Sequence, residues 1–200
     1  MLTLYENSVS GNCYKIRLLL AHLGQAYERV AIDLVGFDER PKALVDATPE
    51  GRLPALVLDD GRTLFESNAI LHHLARGTAF LPEDSVEATE ALAWMFFEQN
   101  LHEPFIATRR YWVSLAESSA PRAQQLDFWL ERGEQTLGVM DAHLAKHDWF
   151  AAERFTIADI ALYAYTHVAE EGGFDLAPLE HLNAWLARVR EQPGHVTIDA

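Results

Sequence analysis

An α/β domain followed by an all-helical bundle is the fold class this 200-residue chain predicts. Two observations carry it. Up to residue 77, short apolar strands alternate with helical spacing in the order strand, helix, strand, helix, hairpin, helix. Beyond Pro82 the apolar pattern keeps a 3.6-residue period. Arg76-Gly77-Thr78 closes the last helix of the first part, and Pro82-Glu83-Asp84 reads as the start of the next. The domains therefore read as residues 1–77, a linker at 78–86, and a helical domain over 87–200.

Leu2-Thr3-Leu4-Tyr5 has strand character, and so does Tyr27 to Ile32. Between them Ile16, Leu19, Leu20 and Leu23 follow helical spacing, which Gly24 ends. Gly51-Arg52-Leu53-Pro54 precedes the apolar run Ala55 to Leu58, and Asp60-Gly61 turns the chain into Thr63-Leu64-Phe65, giving a hairpin. Proline lacks an N–H and holds the residue before it extended, so Leu53 is an edge position to which an extended ligand can pair. Glu66-Ser67-Asn68 then opens the run Ile70, Leu71, Leu74. Ser67 at that helix start either receives a carboxylate through the helix N–H groups and dipole or simply caps its own helix. The hairpin alone leaves both readings standing.

In the second part, Leu92, Met95, Phe96 and Gln99 fall on one stripe, and Leu126, Trp129, Leu130, Leu137 and Met140 form another, as long antiparallel helices require. Pro121 and Pro178 open further helices. Thr156-Ile157-Ala158-Asp159 is a capping box with Asp in place of Glu or Gln, and it starts a helix from Ile157 to about Ala169 whose role is structural.

The net charge of −14 excludes nucleic acid as a natural partner. Residues 1–77 hold 8 Lys and Arg against 10 Asp and Glu, whereas residues 78–200 hold 8 against 20, so an anionic ligand belongs with the first part. Lys15, Arg17, Arg40 and Arg52 are its local cations, with Arg40 and Arg52 flanking the Leu-Pro element. No apolar run approaches the ~20 residues of a membrane span, and no signal-peptide pattern opens the chain. A single cysteine, Cys13, fits a reducing cytoplasm. His143 and His147 lack a third metal ligand and the Glu of a metalloprotease helix, so no metal site is expected.

These elements together resemble the cytosolic glutathione S-transferase family over the whole chain. The strand and helix order matches its thioredoxin-like domain, the Leu53-Pro54 and Glu66-Ser67 elements stand at its spacing, and Phe155 to Ala161 is similar to its helix-capping signature. Phe97-Glu98-Gln99-Asn100 with Glu103-Pro104 resembles the first long helix of a bacterial subgroup. The resemblance implies a detoxifying cytoplasmic homodimer that uses glutathione as co-substrate, with no cofactor, and transfers its thiolate to a small hydrophobic electrophile, a disulfide or a peroxide. The alternative is a non-catalytic protein of the same fold, similar to the starvation proteins.

Residue by residue, the resemblance implies that Leu53 pairs its backbone with the cysteinyl unit, that Pro54 is cis, that Glu66 and Ser67 hold the γ-glutamyl end, and that Arg40, with Arg52 beside it, reaches the glycyl carboxylate. The activating residue comes from Asn7 to Lys15, between the first strand and helix. Aligned on Lys15-Ile16-Arg17, Ser10 takes the place of a serine-type activating hydroxyl and Asn12 that of an asparagine donor to sulfur; Cys13 and Tyr5 are the competitors. The second substrate is expected between the domains, against residues 98–112, with Phe105, Arg109 and Trp112 as its wall and Phe97, His102 and Tyr111 beside them. Glu98, Gln99 and Asn100 are further candidates for the γ-glutamyl amine.

Overall fold

The computed structural model describes residues 1–32, 42–49, 51–116 and 123–200. The chain forms two compact units, Met1–Thr78 with Pro193–Ala200, and Ala79–Gln192.

The first unit runs β1 (Leu2–Glu6), α1 (Gly11–His22), β2 (Tyr27–Ala31), α2 (Lys42–Ala47), β3 (Ala55–Val57), β4 (Thr63–Phe65) and α3 (Ser67–Ala75). The sheet order is β2-β1-β3-β4. β1 and β2 are parallel, as the α1 crossover requires, while β3 and β4 run antiparallel to their neighbours. Leu4 faces Leu56 across the β1–β3 ladder, and both are fully buried. α1 packs against α3 and buries Ile16, Leu18, Leu19 and Leu20. It ends in a Schellman turn: Gly24, at φ +60°, donates to Ala21 O at 3.0 Å, and Gln25 donates to Leu20 O at 2.9 Å.

Residues 193–200, which the sequence pattern assigns to the helical domain, pack in this first unit. Pro193-Gly194 breaks the last helix, and Gly194 at φ +84° passes so close to α1 that a Cβ there would sit 3.2 Å from Ala21 O. The tail carbonyls then answer donors on α1. The Tyr14 hydroxyl donates to Val196 O at 2.7 Å, and Nη1 of Arg17 to Ala200 O at 2.8 Å. Arg17 is itself buried and pairs at 3.3 Å with Glu6, whose carboxylate is fully enclosed and also receives Arg29 at 2.5 Å.

The second unit contains α4 (Ser85–Phe97), α5 (Glu103–Arg110), α6 (Ala123–Leu144), α7 (Ile157–Thr166) and α8 (Glu180–Arg190). α4 passes into α5 through a widened π turn at Glu98–His102, and a second such turn, Tyr111–Leu115, follows α5. The start of α4 matches its acidic signal, with Asp84 accepting from the N–H groups of Val86 and Glu87 at 2.9 and 3.1 Å. The segment expected as a linker belongs to this unit from Ala79 on. Phe80 accepts from the Ile157 N–H at 3.0 Å and packs edge-on against Phe155.

The core centres on α7, every residue of which is buried. Trp185 packs edge-on against Tyr163 of this helix and against Phe150. The capping box forms as expected, and α7 ends at Thr166, short of Ala169. On α4 the expected stripe is a misreading: Ala91 and Met95 face inward, while Leu92 and Phe96 are 40% and 60% exposed. Every face of α4 carries apolar residues, so periodicity alone does not select the buried one. α8 begins at Glu180, two residues after Pro178, and Pro121 lies outside the described residues. Among the described residues no helix is long and apolar enough to cross a membrane.

Candidate active site

The loop after β1 is braced before it reaches α1. Asn7 Nδ2 donates to Ile32 O at 3.0 Å, its Oδ1 accepts from Val9 N at 3.1 Å, and Ser10 N donates to Asn7 O at 3.2 Å. This sets Ser10 as the extended N-cap of α1, with Oγ accepting from Cys13 N at a long 3.4 Å. α1 has no acidic residue in its first turn. Two residues on, half-buried Asn12 receives the hydroxyl of Ser67 on Oδ1 at 3.0 Å. Ser10 and Asn12 thus occupy the positive end of α1, and Asn12 joins it to the positive end of α3.

Cys13 sits in the same turn but faces inward. It is fully enclosed, Sγ accepts from Asn7 N at 3.4 Å, and burial pushes its thiol up to about 11 against the lowering effect of its hydrogen bonds to Ser10 and Asn7. Near neutral pH it is a protonated packing residue. Tyr5 lies within β1, opposite Val30 and Ala55.

At the other end, β4 enters α3 through Glu66, whose φ of +65° is a left-handed conformation for a residue with a Cβ. Such backbone costs about 1–3 kcal/mol and clusters at ligand sites. It leaves the Glu66 side chain exposed, making no bond to the helix it caps, while Ser67 is buried to 4% exposure. Leu53-Pro54 is cis, with Pro54 buried, Leu53 half-buried, and Arg52 exposed beside them. Arg40 lies outside the described residues.

The profile described as "Glutathione S-transferase, N-terminal domain" matches residues 1–76, and "Glutathione S-transferase, C-terminal domain" matches 90–193. The chain belongs to the glutathione S-transferase family. A crystal structure of a glutathione S-transferase from Pseudomonas fluorescens is 45% identical, superposes with a TM-score of 0.93 and is covered over 98% of both chains. One from Xanthobacter autotrophicus is 40% identical at the same TM-score of 0.93, covering 99% of this chain and 97% of that one. The disulfide-bond oxidoreductase YfcG of Escherichia coli is 28% identical over 191 residues, 92% of this chain and 87% of its own.

Within this glutathione S-transferase chain, Lys15 is the residue whose place the sequence misses. Grouped there with the local cations available to an anionic ligand, it is fully buried, and Nζ reaches Ser67 Oγ at 3.3 Å and Asn68 Oδ1 at 3.4 Å. Its partners lie 52 and 53 residues away, so no local pattern marks it.

In the helical unit, Phe105, Arg109 and Trp112 recur at i, i+4 and i+7 on α5 and the turn after it, and each is half-buried. Phe105 packs edge-on against Phe128 at 5.9 Å, Arg109 lies 5.7 Å over Phe174 and donates from Nε to Leu126 O at 3.2 Å, and Trp112 stands edge-on to Tyr111 at 5.2 Å. His102 and Glu98 are fully buried, His102 against the Thr166 hydroxyl at 2.8 Å, so neither forms a ligand wall within this unit. Gln99 bonds to Glu103 at 3.0 Å and Asn100 to Phe96 O at 2.8 Å. His143 and His147 stack with ring centres 4.6 Å apart, with His143 Nε2 on Trp149 O and His147 Nδ1 on Glu153. Among the described residues no group of three or more His, Cys, Asp or Glu side chains is arranged to hold a metal.

Proposed function

We propose that this chain is a glutathione transferase whose first unit holds glutathione between the N-termini of α1 and α3. The observation that carries the reading is the 3.0 Å bond from Ser67 to Asn12, which makes one polar surface of the two helix starts. Glutathione needs such a surface, a donor set for sulfur at one end and for the γ-glutamyl group at the other. Ser67 and the first N–H groups of α3 receive the γ-glutamyl carboxylate, and exposed Glu66 takes its ammonium. Leu53, ahead of cis-Pro54, offers its backbone to the cysteinyl unit. Arg52 and Arg40 take the glycyl carboxylate.

Ser10 and Asn12 face the sulfur. A free thiol ionises near ~8.5, and donors beside the positive end of a helix favour its thiolate. Ser10 Oγ accepts from Cys13 N, and its hydroxyl, which rotates, turns its proton from Cys13 Sγ to the glutathione sulfur. The thiolate lone pair then forms an S–C bond as the leaving group departs with its electron pair, or attacks a disulfide to give a mixed disulfide and release a thiolate, or attacks a hydroperoxide oxygen, breaking the O–O bond to give the sulfenic acid of glutathione and an alkoxide that is protonated to the alcohol. Glutathione is consumed as co-substrate. The transferase relatives support the first route and the oxidoreductase relative the second. Phe105, Arg109 and Trp112 are our candidates for contacts with the hydrophobic electrophile. Exposed Val86, Leu92 and Phe96 along α4 support a homodimer, and the lone buried thiol supports a cytoplasmic setting.

Isothermal titration with glutathione tests the reading. Binding heat at millimolar ligand is expected; its absence sinks the transferase assignment and leaves the non-catalytic protein of the same fold. Turnover of aryl halides, mixed disulfides and hydroperoxides then separates the three routes.

A further inference from the structure

We propose that Arg17 is a positioning residue for Ser10, and that the returning tail, residues 193–200, holds Arg17 in that place and so belongs to the machinery of the site. The inference rests on the reading of Ser10 as a donor to sulfur. It begins in the turn that delivers Ser10. The Ser10 N–H closes on Asn7 O at 3.2 Å, making a turn from Asn7 to Ser10 whose central peptide joins Ser8 to Val9. The direction of that peptide sets how the chain enters α1, and with it where the Ser10 hydroxyl stands. Arg17 fixes the direction, because its Nη2 donates to Ser8 O at 2.9 Å. Ser8 is exposed, so without Arg17 this carbonyl turns to water.

Each guanidinium nitrogen of Arg17 meets a different segment of the chain. Nε pairs with Glu6 at the end of β1 at 3.3 Å, Nη2 takes the turn, and Nη1 donates to Ala200 O of the tail at 2.8 Å. Only a planar fork of fixed N–H groups serves three such directions from one buried side chain. An apolar residue would fill the space without the cost of desolvating a charge, so what the arginine adds is orientation. The tail is what balances it. Glu6 is one carboxylate facing two guanidiniums, and Ala200 O is the acceptor they share, receiving Nη1 of Arg29 at 2.7 Å as well. With the tail lifted, both arginines turn to Glu6 and Arg17 swings from Ser8. The tail is held in turn by Tyr14, whose hydroxyl donates to Val196 O at 2.7 Å, by His22 Nδ1 on Pro193 O at 2.8 Å, and by the buried side chain of Ile198. Charge is the lesser part of this arrangement: at Cys13, in the first turn of α1, the fields of Arg17 and Glu6 oppose each other and rank below the hydrogen bonds from Ser10 and Asn7. Arg17 touches no reacting atom; it aims the turn that carries Ser10.

The test follows the thiolate ultraviolet absorbance of glutathione bound to the full chain across a pH titration, in the wild type, Arg17→Lys, Ile198→Asp and the double variant. Arg17→Lys keeps the charge and loses the fork, whereas Ile198→Asp unseats the tail and leaves Arg17 in the chain. Each is expected to raise the apparent pKa of the bound thiol by about one unit and to lower kcat about tenfold at a pH below both values, while Kd for glutathione and KM for the electrophile stay within about twofold. The double variant is no worse than the poorer single one, because both release the same carbonyl. A role in folding alone would lower the urea midpoint and leave the bound-thiol pKa of the folded protein where it was. That result in either variant overturns the inference while the transferase reading stands. If Arg17→Lys does not fold, the tail variant decides, and Ile198→Ala replaces Ile198→Asp should that one fail to fold. A wild type that takes up no glutathione overturns both.

Discussion

The starts of α1 and α7 solve one electrostatic problem in opposite ways. Each helix opens at an extended hydroxyl residue, Ser10 or Thr156, and each must satisfy first-turn N–H groups and a partial positive charge. α7 closes the problem internally. Asp159 Oδ2 accepts from Thr156 N at 2.9 Å and Thr156 Oγ1 at 3.1 Å, and its Oδ1 accepts from Phe150 N at 3.2 Å and Trp185 Nε1 at 3.0 Å, all fully buried. α1 supplies no carboxylate of its own, and its cap makes one long bond. α7 brings its own anion, whereas α1, on the proposed reading, keeps the place for an anion from outside.

The largest expected effect breaks the closed start. Asp159→Ala strips the acceptor from three buried N–H donors and is expected to cost about 3 kcal/mol, read as the shift in urea midpoint at unchanged slope. A midpoint like that of the wild type would erase the contrast between the two helices. Asp159 also imposes a pH dependence. Burial pushes its carboxyl from 3.8 up to about 6, against the opposing pull of its hydrogen bonds. Below that value the native state holds a proton that the unfolded chain releases until near 3.8, so this group's contribution to stability grows as pH falls from about 6 to about 4 and is lost as pH rises through about 6. Asp159→Asn removes that segment of the stability profile, and urea midpoints across the range check it.

Next in size is the open start. Ser10→Ala is expected to cost at most about 1 kcal/mol of stability, given its long capping bond. It should lower kcat/KM for glutathione-dependent turnover by about a hundredfold, as loss of a donor to a developing or resident anion does. The two substitutions therefore have reversed signatures, one in folding and one in turnover. If Ser10→Ala instead melts early with its turnover intact, α1 begins like α7 and its hydroxyl is only a cap.

What the sequence made legible divides along sequence separation. The α7 box spans Thr156 to Asp159, the hairpin turns on Asp60-Gly61, and Ser67 announces α3 from the residues beside it. Each is a local signal with a local cause. The unread features are long-range. Lys15 reads only as one of several local cations until Ser67 and Asn68 arrive from 52 and 53 residues on, and Arg17 reads likewise until Ala200 returns across 183. Glu66 at positive φ was also unreadable, because glutamate carries no preference for that conformation and the surrounding turn imposes it. The exposed Leu92 and Phe96 escaped for a different reason: a helix that is apolar all round gives periodicity nothing to select.

The smallest expected effect tests why α1 does not activate its own thiol. Cys13 lies in the first turn, bonded to Ser10 and Asn7 with Arg17 near, and each of these lowers its pKa, yet burial outweighs them and the thiol stands at about 11. Donors and a helix dipole favour a thiolate only where the charge keeps some solvent, and Cys13 keeps none. The glutathione thiol that we propose at half-exposed Ser10 and Asn12 would meet the same dipole without that penalty. Cys13→Ala is therefore expected to lose about 1 kcal/mol through a small cavity and to keep kcat with glutathione within about twofold. Iodoacetamide should label Cys13 in the wild type slowly, at a rate that climbs as pH rises from 7 to 9, because the thiolate fraction of a group at about 11 is still small there. Rapid labelling that is already flat over that range, joined to loss of turnover in Cys13→Ala, would move the chemistry from the ligand's sulfur to the protein's own.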